Sequence, residues 1–319
     1  MLLEHITGGI LGLAIGDALG VPVEFNGRGT LQNRPVVDMR EYGSHHQPRG
    51  TWSDDSSLAF CLAETLVQGY DLQDLANRFV NWYNHSYWTP YGHVFDVGIA
   101  TSHAIHRLEN GGEPTKAGGK DVSSNGNGSL MRILPLLFFI KDKPIEERFN
   151  IVRDVSSLTH GHIRSIIACF YYLEFAKMLL EGIEKYTVFE KTKELVNTFL
   201  KDNHIAEQKE IDVFHRLLIN PIGEYEIRPI YDFKESEIYS SGYVLHTLEA
   251  SIWCLLKSNS YSETVLKAVN LGDDTDTTGA VAGGLAGILY KEYGIPELWR
   301  QQLVKSEEIR DLAIKLFEK

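Results

Sequence analysis

The stretch TGGILGLAIGDALG (residues 7–20) contains glycines spaced four residues apart, which are Gly8, Gly12, Gly16 and Gly20. The stretch TGAVAGGLAG (278–287) repeats this spacing near the other end of the chain, with Gly279, Gly283 and Gly287. A glycine inside a helix costs about 1 kcal/mol relative to alanine. Either these segments are flexible, or two helix backbones approach each other closely. The apolar residues between the glycines favour helices, so we expect these two helices to pack together and join both chain ends in one core.

Most of the remaining sequence also predicts helices. Apolar residues recur with the 3.6-residue helical period over 72–83, directly after Asp71, which is a suitable N-cap. Similar stripes begin at Leu58, Ile163 and Leu245. The run LPLLFFI (134–140) is compatible by composition with a buried strand or a buried helix; we interpret it as a helix because no turn signal precedes it. We therefore predict an all-α fold with residues 1–319 in one domain.

Composition excludes several classes of protein. The 43 acidic and 31 basic residues give a net charge of -12, which opposes general binding to nucleic acids or to anionic membranes. The three cysteines are far apart in apolar helical patterns, which argues against a disulfide framework or a zinc knuckle. The first apolar stretch is interrupted by Asp17, is too short by our count to span a bilayer, and lacks a preceding basic region. We expect a cytoplasmic monomer.

One acid-rich stretch is GTWSDDSSLAF (50–60), in which Ser53, Asp54 and Asp55 precede a helical stripe. Helix capping explains one of the acids but not both, and adjacent carboxylates repel each other. The pair is therefore either solvated at the surface or bound to a cation.

A second stretch, LGDDTDTTGAVAGGLAG (271–287), places Asp274, Asp276 and Thr277 before the glycine-striped helix. No His or Cys accompanies these acids in sequence, so the set suits Mg²⁺, Mn²⁺ or Ca²⁺ better than zinc. An EF-hand beginning at Asp274 fails because its twelfth position is Leu285 rather than Glu. A DxDxT phosphatase signature also matches, but that motif follows a strand near the chain start, whereas this one follows a helical segment near the chain end.

Seven motifs in order make the chain resemble the ADP-ribosylglycohydrolase family, of the dinitrogenase-reductase-activating type that removes ADP-ribose from arginine. They are GLAIGDALGVPVEF (12–25), GTWSDDS (50–56), FDVG (95–98), NGNGSLMR (125–132), SLTHGH (157–162), SGYVLHTLEASIW (241–253) and GDDTDTTGAVAG (272–283). The resemblance implies a compact all-α bundle of many helices with a central two-metal cleft, which agrees with the helical pattern.

The resemblance also implies roles for the acids. The metal ligands would be Ser53, Asp54, Asp55, Asp274, Asp276 and Thr277. Glu24 would be a carboxylate on a mobile loop that approaches the scissile bond, and Asp96 an acid beside the metals; either is a candidate acid or base. Two positions depart from the family pattern: Ser53 replaces a Thr, and Asp273 replaces a Gly, which would add a charge beside the metals.

Further residues are candidates for binding the substrate. One segment is either an ordinary turn or a loop whose N–H groups face an anion just before a helix start. It consists of Asn125, Gly126, Asn127, Gly128 and Ser129. His160 reads as a core or capping histidine, and Tyr243 as a core ring. In the family that the chain resembles, the loop holds ribose and diphosphate, the histidine borders the diphosphate, and the tyrosine stacks on adenine.

The expected activity follows from the resemblance. It is hydrolysis of ADP-ribosyl-arginine in modified proteins, with two Mg²⁺ ions as cofactors and Mn²⁺ as a substitute, and with ADP-ribose as product. One alternative is another linkage: serine, O-acetyl-ADP-ribose or a nucleic-acid end. Another is a non-catalytic protein that binds ADP-ribose or serves a structural role. The two retained acid stretches argue against the latter, because unused buried carboxylates are destabilising.

Overall fold

A computed structural model describes residues 2–218 and 228–319, and these residues are predominantly helical. The α-helices are α1 (Leu2–Gly20), α2 (Arg28–Asn33), α3 (Asp54–Gln68), α4 (Leu72–His85), α5 (Ile99–Glu109), α6 (Leu136–Ile140), α7 (Ile145–Ser157), α8 (Ile163–Leu180), α9 (Lys185–Asp202), α10 (Gln208–Asp212), α11 (Val244–Leu256), α12 (Tyr261–Val269), α13 (Thr275–Gly294), α14 (Glu297–Gln302) and α15 (Ser306–Phe317). Short 3-10 turns lie at Val21–Val23, Pro114–Lys116, Val122–Ser124, Ile230–Asp232 and Glu235–Glu237. Within the described ranges no β-strand forms, and only two isolated bridges occur, Gly119 with His160 and Gly126 with Tyr243. The all-α prediction is confirmed.

The two glycine-striped segments are α1 and α13, and they pack directly against each other. A Cβ atom on Gly12 would lie 2.5 Å from the Gly283 carbonyl oxygen, and one on Gly8 would lie 2.3 Å from the Gly287 carbonyl oxygen. Backbone atoms of one helix therefore occupy the space that side chains would need on the other. The predicted contact between the two helices is confirmed, and it brings the start of the chain next to its penultimate long helix.

The apolar character of α1 is explained by this packing. By length and composition alone the segment Leu2–Val23 is sufficient to cross a membrane, so our expectation that it is too short was wrong. Its most apolar window is 100% buried inside the protein. Because Gly, Ala and Ile of α1 face α13 and the surrounding core on all sides, the segment reads as a central core helix.

Helix starts position the polar residues of interest. Ser53 caps α3 by accepting a hydrogen bond from the Asp55 N–H over 3.3 Å. Asp71 caps α4, as predicted, by accepting bonds from the N–H groups of Gln73 and Asp74. The run 134–140 does form a buried helix, but α6 begins only at Leu136.

Candidate active site

The first turns of α3 and α13 bring the two acid-rich stretches together. The Thr277 hydroxyl donates to Asp55 Oδ1 over 3.3 Å, although the two residues are 222 positions apart. Asp54 precedes Asp55 in the first turn of α3, while Asp276 lies beside Thr277 in the first turn of α13, for which Asp274 is the N-cap. The partial positive charge at each helix N-terminus stabilises carboxylates at this point.

The carboxylates of this cluster are short of hydrogen-bond donors. Oδ2 of Asp55 and Oδ2 of Asp276 are buried without a partner. Burial first, and then the charges of neighbouring acids, raise the pKa of Asp54, Asp55 and Asp276 well above the usual range. A bound cation would pair with the partnerless oxygens and offset the repulsion between the buried carboxylates. Carboxylate ligands with nearby hydroxyls suit a hard divalent cation.

Asp17 of α1 holds the start of α3 in place. Its carboxylate accepts hydrogen bonds from the Ser53 N–H at 2.9 Å, the Ser56 N–H at 3.1 Å and the Ser56 hydroxyl at 2.5 Å. Burial raises the pKa of Asp17 to about 7 against the effect of these bonds. Asp17 therefore fixes the first turn of α3, which carries Asp54 and Asp55.

Glu24 lies at the side of the cluster, directly after the 3-10 turn Val21–Val23. One of its carboxylate oxygens lies within 4.8 Å of carboxylate oxygens of Asp274 and Asp276. Burial, with further contributions from the charges of Asp96 and Asp274, raises the pKa of Glu24 to about 8. The opposing effect comes from His45, whose Nε2 lies 2.5 Å from Glu24 Oε2. A carboxyl group with a pKa in this range is suited to exchanging protons at neutral pH.

A cavity of about 430 Å³ opens beside these acids. The residues named from the sequence that line it are Glu24, Asp54, Asp55, Asp96, Gly126, Asn127, Gly128, His160, Asp274 and Thr277. Asn127 connects the loop to the second acid stretch and to α11, because its amide donates to Asp274 Oδ2 and to the Thr247 hydroxyl, each over 2.9 Å. The acids and the polar loop therefore share one cavity.

His160 lies under Gly126 and Gly128. A Cβ on Gly128 would stand 2.8 Å from His160 Cε1, which is too close without a shift of the ring, while one on Gly126 would make a tight contact of 3.3 Å with His160 Nε2. Burial, followed by the charge of Arg132, lowers the pKa of His160 to about 3, so the imidazole is neutral. Its Nδ1 pairs with the Thr159 hydroxyl at 2.8 Å. His160 is thus a neutral hydrogen-bonding group rather than a cation.

Asn125 and Ser129 differ from the middle of the loop because their side chains are used inside the protein. The Asn125 amide donates to the Val122 carbonyl at 2.9 Å, and the Ser129 hydroxyl accepts from Ser156 at 3.0 Å. The expectation of a helix start directly after this loop was also wrong, since turns follow and α6 begins at Leu136. Buried Arg132 instead supports the loop by donating to the Gly128 carbonyl.

Tyr243 does not line the acid-bearing cavity. It stands at the N-cap position of α11 without a side-chain capping bond, and it is half-buried beside a second cavity of about 480 Å³, next to Tyr239 and His246. Its neighbour Gly242 does line the first cavity, and the Gly242 carbonyl accepts the Asn127 N–H over 3.0 Å. The two cavities therefore adjoin through residues 242 and 243.

Asp273 was expected to add a charge beside the metal ligands, but its side chain is exposed and does not line the cavity. Its backbone adopts φ 60°, the left-handed region that favours glycine. Its N–H donates to the Asn26 carbonyl at 2.9 Å and its carbonyl accepts the Phe25 N–H at 2.8 Å. The backbone of Asp273 therefore holds Phe25 and Asn26, the two residues that follow Glu24, in place.

Three residues of this site were not identified from the sequence. Asp17 had a visible signal, a single acid in an otherwise apolar helix. Arg132 ends a quoted motif but carries no special spacing. His45 lies in an irregular segment, and only the fold brings its imidazole close to Glu24 and Asp96. In sequence no histidine accompanies the acids, but in the structure a histidine nitrogen does lie near them.

Comparisons with known proteins agree with one family. The profile described as ADP-ribosylglycohydrolase matches residues 1–319. A protein of Pseudomonas putida (strain GB-1) named ADP-ribosylarginine hydrolase Tri1 is 34% identical over 319 residues, which is 99% of this chain and 79% of that protein. A protein of the same name from Serratia proteamaculans (strain 568) is 32% identical, with 99% and 79% covered. A solved structure described as an ADP-ribosylglycohydrolase-related protein complex superposes with a TM-score of 0.78 at 31% identity, covering 99% of this chain and 98% of the other.

Proposed function

The chain belongs to the ADP-ribosylglycohydrolase family and is a hydrolase, and from this premise we propose that it removes ADP-ribose from arginine side chains of modified proteins with Mg²⁺ as cofactor. The convergence of the two acid stretches beside the Gly126–Gly128 loop is the observation that carries the proposal. The names of the two relatives support arginine as the linkage. We further propose that the protein acts in the cytoplasm.

The proposed cofactor would be held by the oxygen atoms of Ser53, Asp54, Asp55, Asp274, Asp276 and Thr277. Bound Mg²⁺ supplies a Lewis acid and a template for sugar hydroxyls, and two such ions are proposed, with Mn²⁺ as a substitute. The partnerless oxygens of Asp55 and Asp276 support this assignment.

The protein's own groups then have separate tasks. Departure of the guanidine nitrogen from the anomeric carbon needs a proton donor, and attack by water needs an acceptor. Glu24, with a pKa raised to about 8, changes protonation state near neutral pH and serves at the leaving group. Asp96, half-buried at the same cavity, is the second candidate for proton transfer.

Substrate binding uses neutral groups rather than basic side chains at the cavity wall. The backbone of Gly126 and Gly128, and the neutral imidazole of His160, line the cavity where the diphosphate and ribose are proposed to bind. Tyr243 adjoins from the next cavity, as the proposed stacking partner of adenine. Close approach of the backbone compensates for the overall negative charge of the protein.

The test compares ADP-ribose release from three substrates: an arginine-linked ADP-ribosyl peptide, a serine-linked peptide and an ADP-ribosylated nucleic-acid end. Each is measured with Mg²⁺ and with excess EDTA. Selective release from the arginine-linked peptide, abolished by EDTA and restored by Mg²⁺ or Mn²⁺, is expected. Preference for another linkage would reassign the substrate, and full activity in EDTA would contradict the cofactor.

A further inference from the structure

The Glu24 carboxylate is held by a neighbouring segment that has no part in the predicted metal or substrate sites. This segment, Gly43–Ser44–His45, is here named the clamp. The Ser44 hydroxyl donates to the Glu24 carbonyl over 2.5 Å, and the Ser44 N–H donates to the Pro22 carbonyl over 3.0 Å. His45 Nε2 meets Glu24 Oε2 at 2.5 Å. Both the backbone and the side chain of Glu24 are therefore fixed from one side.

The clamp is itself closely packed. A Cβ on Gly43 would lie 1.6 Å from the Pro22 carbonyl oxygen, so only glycine allows the segment to approach this turn. The His45 ring lies 5.8 Å from the Phe25 ring and 5.3 Å from the Phe95 ring, measured between centroids. With 14% of its side chain exposed, His45 has little freedom to leave Glu24.

His45 Nε2 and Glu24 Oε2 are within hydrogen-bonding distance of each other. The imidazole is therefore placed to donate directly to this oxygen and to fix the orientation of the carboxylate.

We propose that His45 is the positioning residue for Glu24, donating from Nε2 to the carboxylate so that its other oxygen is aimed at the reacting bond. This inference rests on the proposed role of Glu24 in hydrolysis of the arginine linkage. His45 acts through Glu24 and does not itself contact the cavity, since it is not among the residues lining it.

The decisive experiment is a double-mutant cycle on the full chain with the arginine-linked peptide. His45→Ala is expected to lower kcat by about 10- to 100-fold, with KM and ADP-ribose affinity within about twofold of wild type. In a Glu24→Gln background the same substitution is expected to cost less than about twofold, because the group it positions is already gone. Added imidazole is expected to restore part of the kcat of His45→Ala. An equal loss in both backgrounds would overturn the proposal.

Two further variants separate positioning from folding. His46→Asn changes the adjacent exposed histidine at a left-handed φ of 54°, which Asn tolerates, and is expected to retain wild-type kcat. Gly43→Ala removes no polar group but displaces the clamp, and is expected to reproduce the kcat loss of His45→Ala. Normal kcat in Gly43→Ala would count against the clamp.

A last measurement distinguishes failure of this inference from failure of the proposed function. If wild type releases no ADP-ribose from the arginine-linked peptide, the proposed function is wrong. The ¹⁵N chemical shifts of the His45 imidazole still report the hydrogen bond, and they are expected to change in Glu24→Gln. Unchanged shifts would overturn the positioning role whatever the substrate.

Discussion

Gly16 of α1 lies against the backbone of Gly279 in α13 so closely that a Cβ on Gly16 would stand 2.0 Å from the Gly279 carbonyl oxygen. This contact ties the first helix to the helix whose N-terminus carries Asp274, Asp276 and Thr277. The residue that follows Gly16 in α1 is Asp17, which holds the start of α3. The packing of two glycine faces therefore sets the relative position of both acid stretches.

Gly16→Ala is expected to destabilise the protein by about 1–3 kcal/mol or more, because the added methyl group overlaps backbone that cannot rotate away. Urea unfolding measures this difference. The matched control is Gly29→Ala in α2, where nothing lies within 4 Å of the added Cβ. It is expected to be neutral or slightly stabilising. A Gly16→Ala protein as stable as this control would contradict the close helix contact.

The stability of the metal-free protein is expected to fall as pH rises from about 4 to about 8. Asp17 and Glu24 have pKa values raised from 3.8 to about 7 and from 4.5 to about 8 in the folded protein. Folding therefore favours their protonated forms, a contribution that is complete below the unfolded-state pKa and is lost as pH passes the folded-state pKa. Ionised carboxylates bind cations, so Mg²⁺ is expected to stabilise the protein more at pH 8 than at pH 5.

Thermal unfolding at both pH values, in EDTA and in Mg²⁺, tests this pH dependence. Asp276→Asn removes one charge of the cluster and is expected to flatten the pH slope in EDTA. Greater stability at pH 8 than at pH 5 in EDTA would show that the cluster is compensated by groups of the protein itself.

Asp273→Gly is expected to stabilise the protein by less than about 1 kcal/mol, since glycine adopts the left-handed backbone of this position without strain. The Mg²⁺ concentration for half-maximal activity is expected to stay unchanged, because the Asp273 side chain is exposed outside the cavity. Titration of activity with Mg²⁺ measures this. A shift in the half-maximal concentration would place the Asp273 charge within reach of the metals after all.

His160→Gln is expected to weaken ADP-ribose binding by about 10-fold, since a buried hydrogen-bonding group that lines the cavity is replaced by one of different reach. Calorimetric affinity for ADP-ribose is the readout. Because the pKa of His160 is lowered to about 3, the wild-type affinity is not expected to rise between pH 7.5 and 5.5 through this residue. A rise that is present in wild type and lost in His160→Gln would show a cationic histidine in the complex.

The sequence was sufficient for features that depend on local spacing. The glycine interval predicted the contact of α1 with α13 because residues four apart lie on one helix face, and Asp71 predicted the start of α4 because its side chain can accept from the first free N–H groups. It was insufficient where a role depends on the path of an irregular segment. His45 is 21 positions from Glu24 and belongs to no periodic pattern. Likewise, only the fold shows that Ser129 turns inward to Ser156 while Asn127 faces the cavity.

The sharpest prediction separates Asp276 from Glu24, which lie in one cluster but are assigned different tasks. Asp276 has a buried oxygen without a partner, so Asp276→Ala is expected to lose Mg²⁺ binding and turnover together, by about 10²-fold or more in kcat. Glu24 already has a hydrogen-bond partner in His45, so Glu24→Gln is expected to retain Mg²⁺ and ADP-ribose binding while kcat falls by about 10²-fold. Calorimetry of Mg²⁺ and ADP-ribose beside a hydrolysis assay measures both. Near-normal turnover in Glu24→Gln would move proton transfer to Asp96, and normal Mg²⁺ binding in Asp276→Ala would remove Asp276 from the metal ligands.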